Sequence, residues 1–494
     1  MMQPYRHPDY NLTQQDLKLI RDFIEGEAAV KRETTTYLPH PSQIDTKSEE
    51  QRIRYREYLG GAEVDGAPDR LLRRLVGKMH IGDAEIALPE GISYLLDDCD
   101  GDGTPLAAAM ESAIKNVLQT KWHVLVSDYQ SEAFDGVLTV SKLEGLKRRA
   151  NIKQYARENV INWAFKRVNG VMQLVYIELL EEGSEIIEGS HVKSCRYVIL
   201  GLDETGYYQQ SYEVIGGQVS EKTEKDYILV GGKSLKWIPV EFIADERIPS
   251  GSLPTKLGYM DESCRTALHK YQVSARYKEV QRSLSPTIMS SGWRAGDIDS
   301  FKETNGGRDY IATGPLAVNN LPEGVDVKIL SASTDMSDYQ WYFKHSEDKV
   351  ETMSGGGVDG ATTMTATQAS HIAADQVAVL SSVADCAERS FARALSYCAM
   401  FEGLWAPEDV EKKLDQIEIA IKRDFSAQKA SVEERQQDLQ EYMAGLISKE
   451  EFYRRQKVGG VLASEIDDII AELEETEPAQ GVSDANTNQE AVPE

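Results

Sequence analysis

Cysteine is scarce in this chain: Cys99, Cys195, Cys264, Cys386 and Cys398 are the only five in 494 residues. An odd, scattered set gives no disulfide framework and no Cys-x-x-Cys pair, and fits a reducing compartment. Long apolar runs are absent too. The stretch "VMQLVYIELL" (171–180) is well short of the ~20 residues a membrane helix needs and carries Glu178. With no signal-peptide pattern at its start, the chain is expected to have no membrane association. The eight histidines are far apart, with no HExxH and no close His/Cys spacing, and no G-x-S-x-G elbow occurs. Nothing local asks for catalysis, a cofactor or a metal, so the expectation is a non-enzymatic protein with none of them.

Positive charge is also in deficit. Lys and Arg number 54 against 81 Asp and Glu, a formal net charge of −27. Ten of those acids follow Ser464 with no base among them. Such a surface does not bind nucleic acid by releasing counterions, so DNA near it is tolerated or repelled. At 41% hydrophobic content the chain has enough apolar material for two to four structural units.

Several segments announce themselves. "TQQDLKLIRDFIEGE" (13–27) reads as a helix capped by Thr13, and 52–82 as a helix-rich block. From about Ala150 to Ile243 the pattern is that of strands in an antiparallel or mixed sheet, with a hairpin turning near 204–206. A helix over 257–284 follows, with Met260, Ala267, Leu268, Tyr271, Ala275 and Val280 among its non-polar positions. Counted from Pro254 it carries Lys256, Arg265, Lys270, Arg276, Lys278 and Arg282 against Asp261, Glu262 and Glu279, a net +3 rod in an acidic protein. Pro286 ends it, 287–334 is short-stranded and turn-rich, and a second helix runs over 336–353. A small β-rich module is thus expected between two helices.

In "SGGGVDGATTMTATQAS" (354–370), Gly355, Gly356, Gly357 and Gly360 lie within seven residues. Each costs a helix about 1 kcal/mol relative to Ala, so the segment reads as a flexible loop. A long helix follows to Gly403, with a stripe of Ile372, Gln376, Val379, Val383, Ala387, Phe391, Leu395 and Cys398. A strand over 417–425 comes next, then helices opened by capping boxes at Ser431/Glu434 and Ser448/Glu451 and closed by Gly445 and by Gly459 and Gly460, and a patternless acidic tail after Pro478.

Two stretches resemble ligand sites. "DCDGDG" places Asp98, Asp100 and Asp102 in alternation with Gly103 at the turn, the beginning of a calcium loop, but the twelfth position is Ala109, where a bidentate Glu belongs. The simpler reading is a loop before a helix, with Thr104 as N-cap, Pro105 at the first position and a stripe of Leu106, Met110, Ala113, Ile114, Val117 and Leu118. Gly232-Lys233-Ser234 suggests a phosphate loop, but Tyr227 stands where its first glycine is needed, and a hairpin turn suffices.

The order of these parts resembles the portal (head-to-tail connector) proteins of tailed bacteriophages over nearly the whole chain. The residues that carry the likeness are "AAVKRETTTYLP" (28–39), "YREYLGGAEV" (55–64), the acidic turn before a helix and strand (98–126), "WIPVEF" (237–242), "TATQAS" (365–370) and "RDFSAQ" with "AGLISKEEF" (444–452). The resemblance implies an α+β ring subunit: an α/β wing over 1–253, stem helices over 254–284 and 336–353, a β-rich clip over 285–335, and a tunnel loop over 354–365. It continues with a long tunnel-lining helix over 366–405 that joins wing and crown, a helical crown over 406–477 and an acidic disordered tail over 478–494. The implied function is a ring of about twelve copies at one capsid vertex. That ring is the channel for genome packaging and ejection. Its implied partners are the terminase large subunit, major capsid and scaffolding proteins, head-tail adaptor or tail proteins, and double-stranded DNA passing without sequence-specific contact. The implied location is the virion, after assembly in a bacterial cytoplasm. Ser354, Gly355, Gly356, Gly357, Val358, Asp359, Gly360, Thr362 and Thr363 would constrict the channel, while Arg265, Lys270, Arg276, Lys278 and Arg282 would face the channel or a neighbouring subunit. Two other readings stay open: an acidic adaptor or scaffold without a channel, and a metal-dependent hydrolase using the aspartates of 97–102.

Overall fold

The computed structural model describes residues 5–41, 48–129, 149–187, 189–246, 248, 251–283, 287–311, 319–330, 337–353, 366–423, 439–443 and 452. The chain divides into two units, Met1–Lys422 and Arg423–Glu494. Within the second, the described residues include a helical stretch at 439–443 and a stacked Tyr442–Phe452 pair, centroids 4.9 Å apart. The capping boxes, Gly445, Gly459, Gly460 and the tail beyond Pro478 lie outside the described residues.

The first unit opens with helices α1 (Pro8–Glu25), α2 (Glu27–Arg32), α3 (Glu49–Gly61) and α4 (Ala67–Gly77). Helix α1 starts earlier than Thr13 because a stronger signal precedes it: Pro8 fits the first helical position, and His7 Nδ1 accepts from the Asp9 N–H at 3.2 Å. Thr13 is instead buried inside the helix, its hydroxyl turned back to the Asp9 and Tyr10 carbonyls. A strand the sequence did not announce, β1 (Met79–Ala87), ends this block.

Helix α5 (Leu106–Thr120) buries the whole expected stripe, Leu106, Met110, Ala113, Ile114, Val117 and Leu118. Its cap falls one residue later than expected, on Pro105, with no side-chain cap bond. Strands β2 (Trp122–Tyr129) and β3 (Ala150–Ala156) follow, then β4 (Val160–Val168), β5 (Val171–Ile187), β6 (Ser190–Leu202), β7 (Tyr207–Ile215), β8 (Gln218–Val219), β9 (Asp226–Tyr227), β10 (Leu229–Val230), β11 (Lys233–Ser234) and β12 (Val240–Ala244). They form two main sheets rather than one: β12-β2-β3, and β4-β5-β6-β7-β8 with β9 beside β7. Both sheets are antiparallel throughout. Turn chemistry explains the tight reversals. Asn169-Gly170, Gly216-Gly217 and Gly231-Gly232 all take positive φ at both central positions, the two-residue hairpin turn whose twist matches the strands. The Gly232-Lys233-Ser234 segment is therefore a hairpin.

Strand β2 is buried from Trp122 to Ser127 because both of its faces are covered. Trp122, Val124 and Val126 join the core shared with Trp163, Ile177, Leu179, Tyr197 and Ile199 of the larger sheet. The alternate residues His123 and Ser127 face helices: His123 pairs with Gln154, whose amide donates to the Ala109 carbonyl of α5. Burial pushes the His123 pKa down to about 4, so the ring is neutral at pH 7.

Helix α6 (Asp261–Ser283) leads into strand β13 (Thr287–Ser291), helix α7 (Asp297–Thr304) and strand β14 (Asp326–Leu330), with β13 and β14 paired antiparallel. The module between the stem helices thus contains a helix as well as strands, anchored by Phe301 against Trp293. Helices α8 (Ser337–Met353) and α9 (Ala366–Phe401) and strand β15 (Glu418–Arg423), paired with β1, complete the unit. With 36 residues α9 is about 54 Å long. It ties itself along β12: Ser382 Oγ donates to Asp245 O, Ser390 Oγ to Phe242 O and Tyr397 OH to Glu241 Oε1. Its stripe from Val383 through Cys398 is fully buried, while the side chains of Ile372 and Gln376 lie outside the described residues.

Candidate functional site

Helices α6 and α8 pack against each other. Small residues on one face of α6, Ser263, Ala267, Ser274 and Ala275, let the N-terminal helices approach it closely. On another face, Tyr277 meets Tyr339 and Phe343 with centroids 5.8 and 5.7 Å away, and His269 meets Tyr342 edge-on at 4.9 Å. This aromatic seam holds the two helices side by side, each pair adding roughly 0.5–1.5 kcal/mol beyond area burial.

The segment leading into α6 is clamped by residues that sequence reasoning did not single out. Trp122 Nε1 donates to Pro254 O at 3.0 Å. Arg157, only 4% exposed, donates to the carbonyls of Thr120, Thr255 and Lys256 at 2.7–2.9 Å while stacking over the Trp122 ring. Burial pushes its pKa down to about 10, against the opposing pull of Glu158. Gly258 fits because it has no side chain: a Cβ there would stand 2.5 Å from the Leu118 and Gln119 backbone. Met260 N–H then bonds Leu118 O at 3.1 Å. No local pattern marks Arg157, since its acceptors lie 37, 98 and 99 residues away.

The basic residues of α6 find partners within the chain, which neither the channel nor the neighbouring-subunit expectation foresaw. Arg265 binds Asp261 at 2.9 Å and Asp16 at 2.8 Å, Lys270 binds Asp65 at 2.9 Å, and Lys278 binds Glu63 at 3.2 Å. Arg276 hydrogen-bonds Tyr58. The Arg282 side chain lies outside the described residues. Burial by itself lifts the Asp65 carboxyl, but Lys270, the Ala67 N–H and Arg70 outweigh it and hold it below the ordinary carboxylate range. Three of the cations of this helix thus pair with acids of the N-terminal block, Asp16, Asp65 and Glu63.

In the acidic loop, Asp98 Oδ1 accepts from Gly101 and Gly103 N–H, and Asp100 Oδ1 from Asp102 and Thr104 N–H. Burial raises the Asp100 carboxyl, and the Thr104 and backbone hydrogen bonds more than reverse that rise. The carboxylates shape the turn before α5. Among the described residues, no three His, Cys, Asp or Glu side chains converge to hold a metal ion, and no helix is long and apolar enough to cross a membrane. The glycine-rich loop residues, from Ser354 to Thr363, lie outside the described residues.

No protein-family profile matches this chain, and no curated protein matches it. Among solved structures it is similar to a chain of the "Neck of native GTA particle computed with C12 symmetry", at 12% identity and a TM-score of 0.37, covering 87% of this chain and 98% of that one. A likeness at that score is too weak to transfer function.

Proposed function

We propose that this chain is the ring-forming subunit of a phage-type head-to-tail connector, a structural protein rather than an enzyme, through which double-stranded DNA is packaged and ejected. The observation that carries the reading is an arrangement in one stretch of chain. Two helices seamed by aromatics bracket a small module of paired strands, and a 36-residue helix follows them. That order coincides with the stem, clip and long helix implied by the sequence resemblance. In this reading the wing is 1–253, the clip 285–335, the tunnel loop 354–365 and the crown 406–477. The ring docks a packaging terminase first and adaptor or tail proteins later.

The electrostatics give the reading a mechanism. With Arg265, Lys270 and Lys278 each paired to an acid inside the subunit, these three cations of α6 do little to offset the −27 net charge. Duplex DNA carries one charge per ~1.7 Å of axis, so a basic bore would grip it, whereas an acidic one keeps it near the axis within a Debye length of ~8 Å. The glycine-rich loop, repeated around the ring, would form a yielding constriction. Replacing Gly355, Gly356, Gly357 and Gly360 with alanine is expected to leave rings intact on negative-stain grids and to cripple DNA packaging or retention in complementation assays. Wild-type particle yield from that variant would refute the loop's role.

A further inference from the structure

Helix α8 leaves one large aromatic side chain out in solvent. Trp341 is 65% exposed and, among the described residues, stacks on His345, one turn along, with centroids 4.9 Å apart and rings nearly parallel. Its neighbours Tyr339, Tyr342 and Phe343 are turned towards α6. On the α6 and α3 side of the same helix pair lies an open groove of about 440 Å³. Leu38, Pro39, Pro41, Tyr58, Val280 and Tyr339 give it apolar walls, and Arg276 stands in it among the polar side chains of His40, Gln272 and Glu279.

The placement of the two features is informative. Tyr339, which lines the groove, and Trp341, which projects away, differ by about 200° of rotation and about 3 Å of rise along α8. A protrusion and a recess therefore sit on opposite flanks of one helix pair at nearly the same level. A head-to-tail contact of this kind closes into a ring when the helix pair stands along the ring axis, whereas a large offset along that axis would build an open helical filament. The chemistry agrees: an indole entering the groove meets prolyl and tyrosyl walls and presents its face to the Arg276 guanidinium, a favourable cation–π partner.

Resting on the ring reading above, we infer that Trp341 of each subunit inserts into the Leu38–Tyr58–Val280 groove of the next copy and is the anchor of the stem interface. Central aromatic anchors of this kind carry most of an interface's binding energy.

The test uses full-length protein, comparing wild type with Trp341→Ala and with two groove variants, Val280→Trp, which fills the recess, and Pro41→Glu, which places a charge in it. Far-UV circular dichroism and melting temperature confirm that each is folded. Mass photometry is expected to show the concentration for half-assembly rising at least about tenfold in each variant. An equimolar mixture of Trp341→Ala and Val280→Trp subunits should stop at pairs, because one lacks the protrusion and the other the recess. The tryptophan emission lost in Trp341→Phe should shift to shorter wavelength when wild type assembles. Rings forming at wild-type concentrations in Trp341→Ala and both groove variants would overturn the inference while leaving the connector reading standing. A wild type that forms no ring at all would overturn both.

Discussion

Replacing Arg157 with methionine should loosen the joint between the end of α5 and the segment leading into α6, and the structure allows the effect to be sized. The guanidinium makes three hydrogen bonds to backbone carbonyls on two segments, Thr120 on one side and Thr255 and Lys256 on the other. Bonds from a charged donor contribute about 1.5–3 kcal/mol each, or roughly 5–9 kcal/mol in all. Against this stands the cost of burying the charge, visible in a pKa pushed down to about 10 and worth roughly 3 kcal/mol. The expected loss is therefore about 2–6 kcal/mol, a large share of the 5–15 kcal/mol typical of a folded domain. Hydrogen–deuterium exchange should show it first in 254–262, before the core strand β2 is affected. Arg157→Lys should recover only part of the loss, since an ammonium cannot reach both segments with the planar geometry of a guanidinium. A double-mutant cycle with Trp122→Phe, which removes the bond to Pro254 O, should give a coupling energy of at least about 0.5 kcal/mol. Unchanged exchange in 254–262 together with a stability loss below 1 kcal/mol would refute the clamp.

Other substitutions probe neighbouring contacts. Asp65→Asn should destabilise the N-terminal block by about 2 kcal/mol at neutral pH, because it removes the carboxylate charge from a largely buried ion pair with Lys270, which is only 15% exposed. Since the folded Asp65 carboxyl sits below its unfolded range, its contribution is present above pH ~4 and disappears as pH falls through the folded value. Melting curves of wild type and variant should therefore converge at acidic pH. Glu241 behaves oppositely: burial raises its pKa against the Tyr397 hydrogen bond and the Arg393 charge, so its ionisation weakens the fold as pH rises above the ordinary carboxylate value. Glu241→Gln, which keeps an acceptor for Tyr397, should raise the melting temperature at pH 7 and lose that advantage near pH 4. A lower melting temperature for this variant at pH 7 would contradict the assignment.

What the sequence disclosed depended on how local the cause was. The stripes of α5 and α6 were legible because Ala113, Val117, Ala267 and Tyr271 repeat at the helical period, and all four are buried. The GKS turn was legible because two glycines at a reversal have few alternatives. Strand β1 was not, since its polar-spaced sequence is a strand only through β15, more than three hundred residues later. Thr13 misled because a threonine before an apolar run signals a cap, and the burial that outweighs it comes from tertiary packing. The ion pairs of α6 were hidden for the same reason: Lys270 and Asp65 are 205 positions apart, so composition alone could not show which of its cations are paired within the fold.

The central claim is that many identical acidic subunits close around an opening through which DNA passes. Imaging purified full-length protein by electron microscopy tests it most directly. The account predicts closed rings of about twelve 55.1 kDa subunits, with a central hole wide enough for a duplex. Compact single particles at every concentration and under capsid-assembly conditions would contradict it.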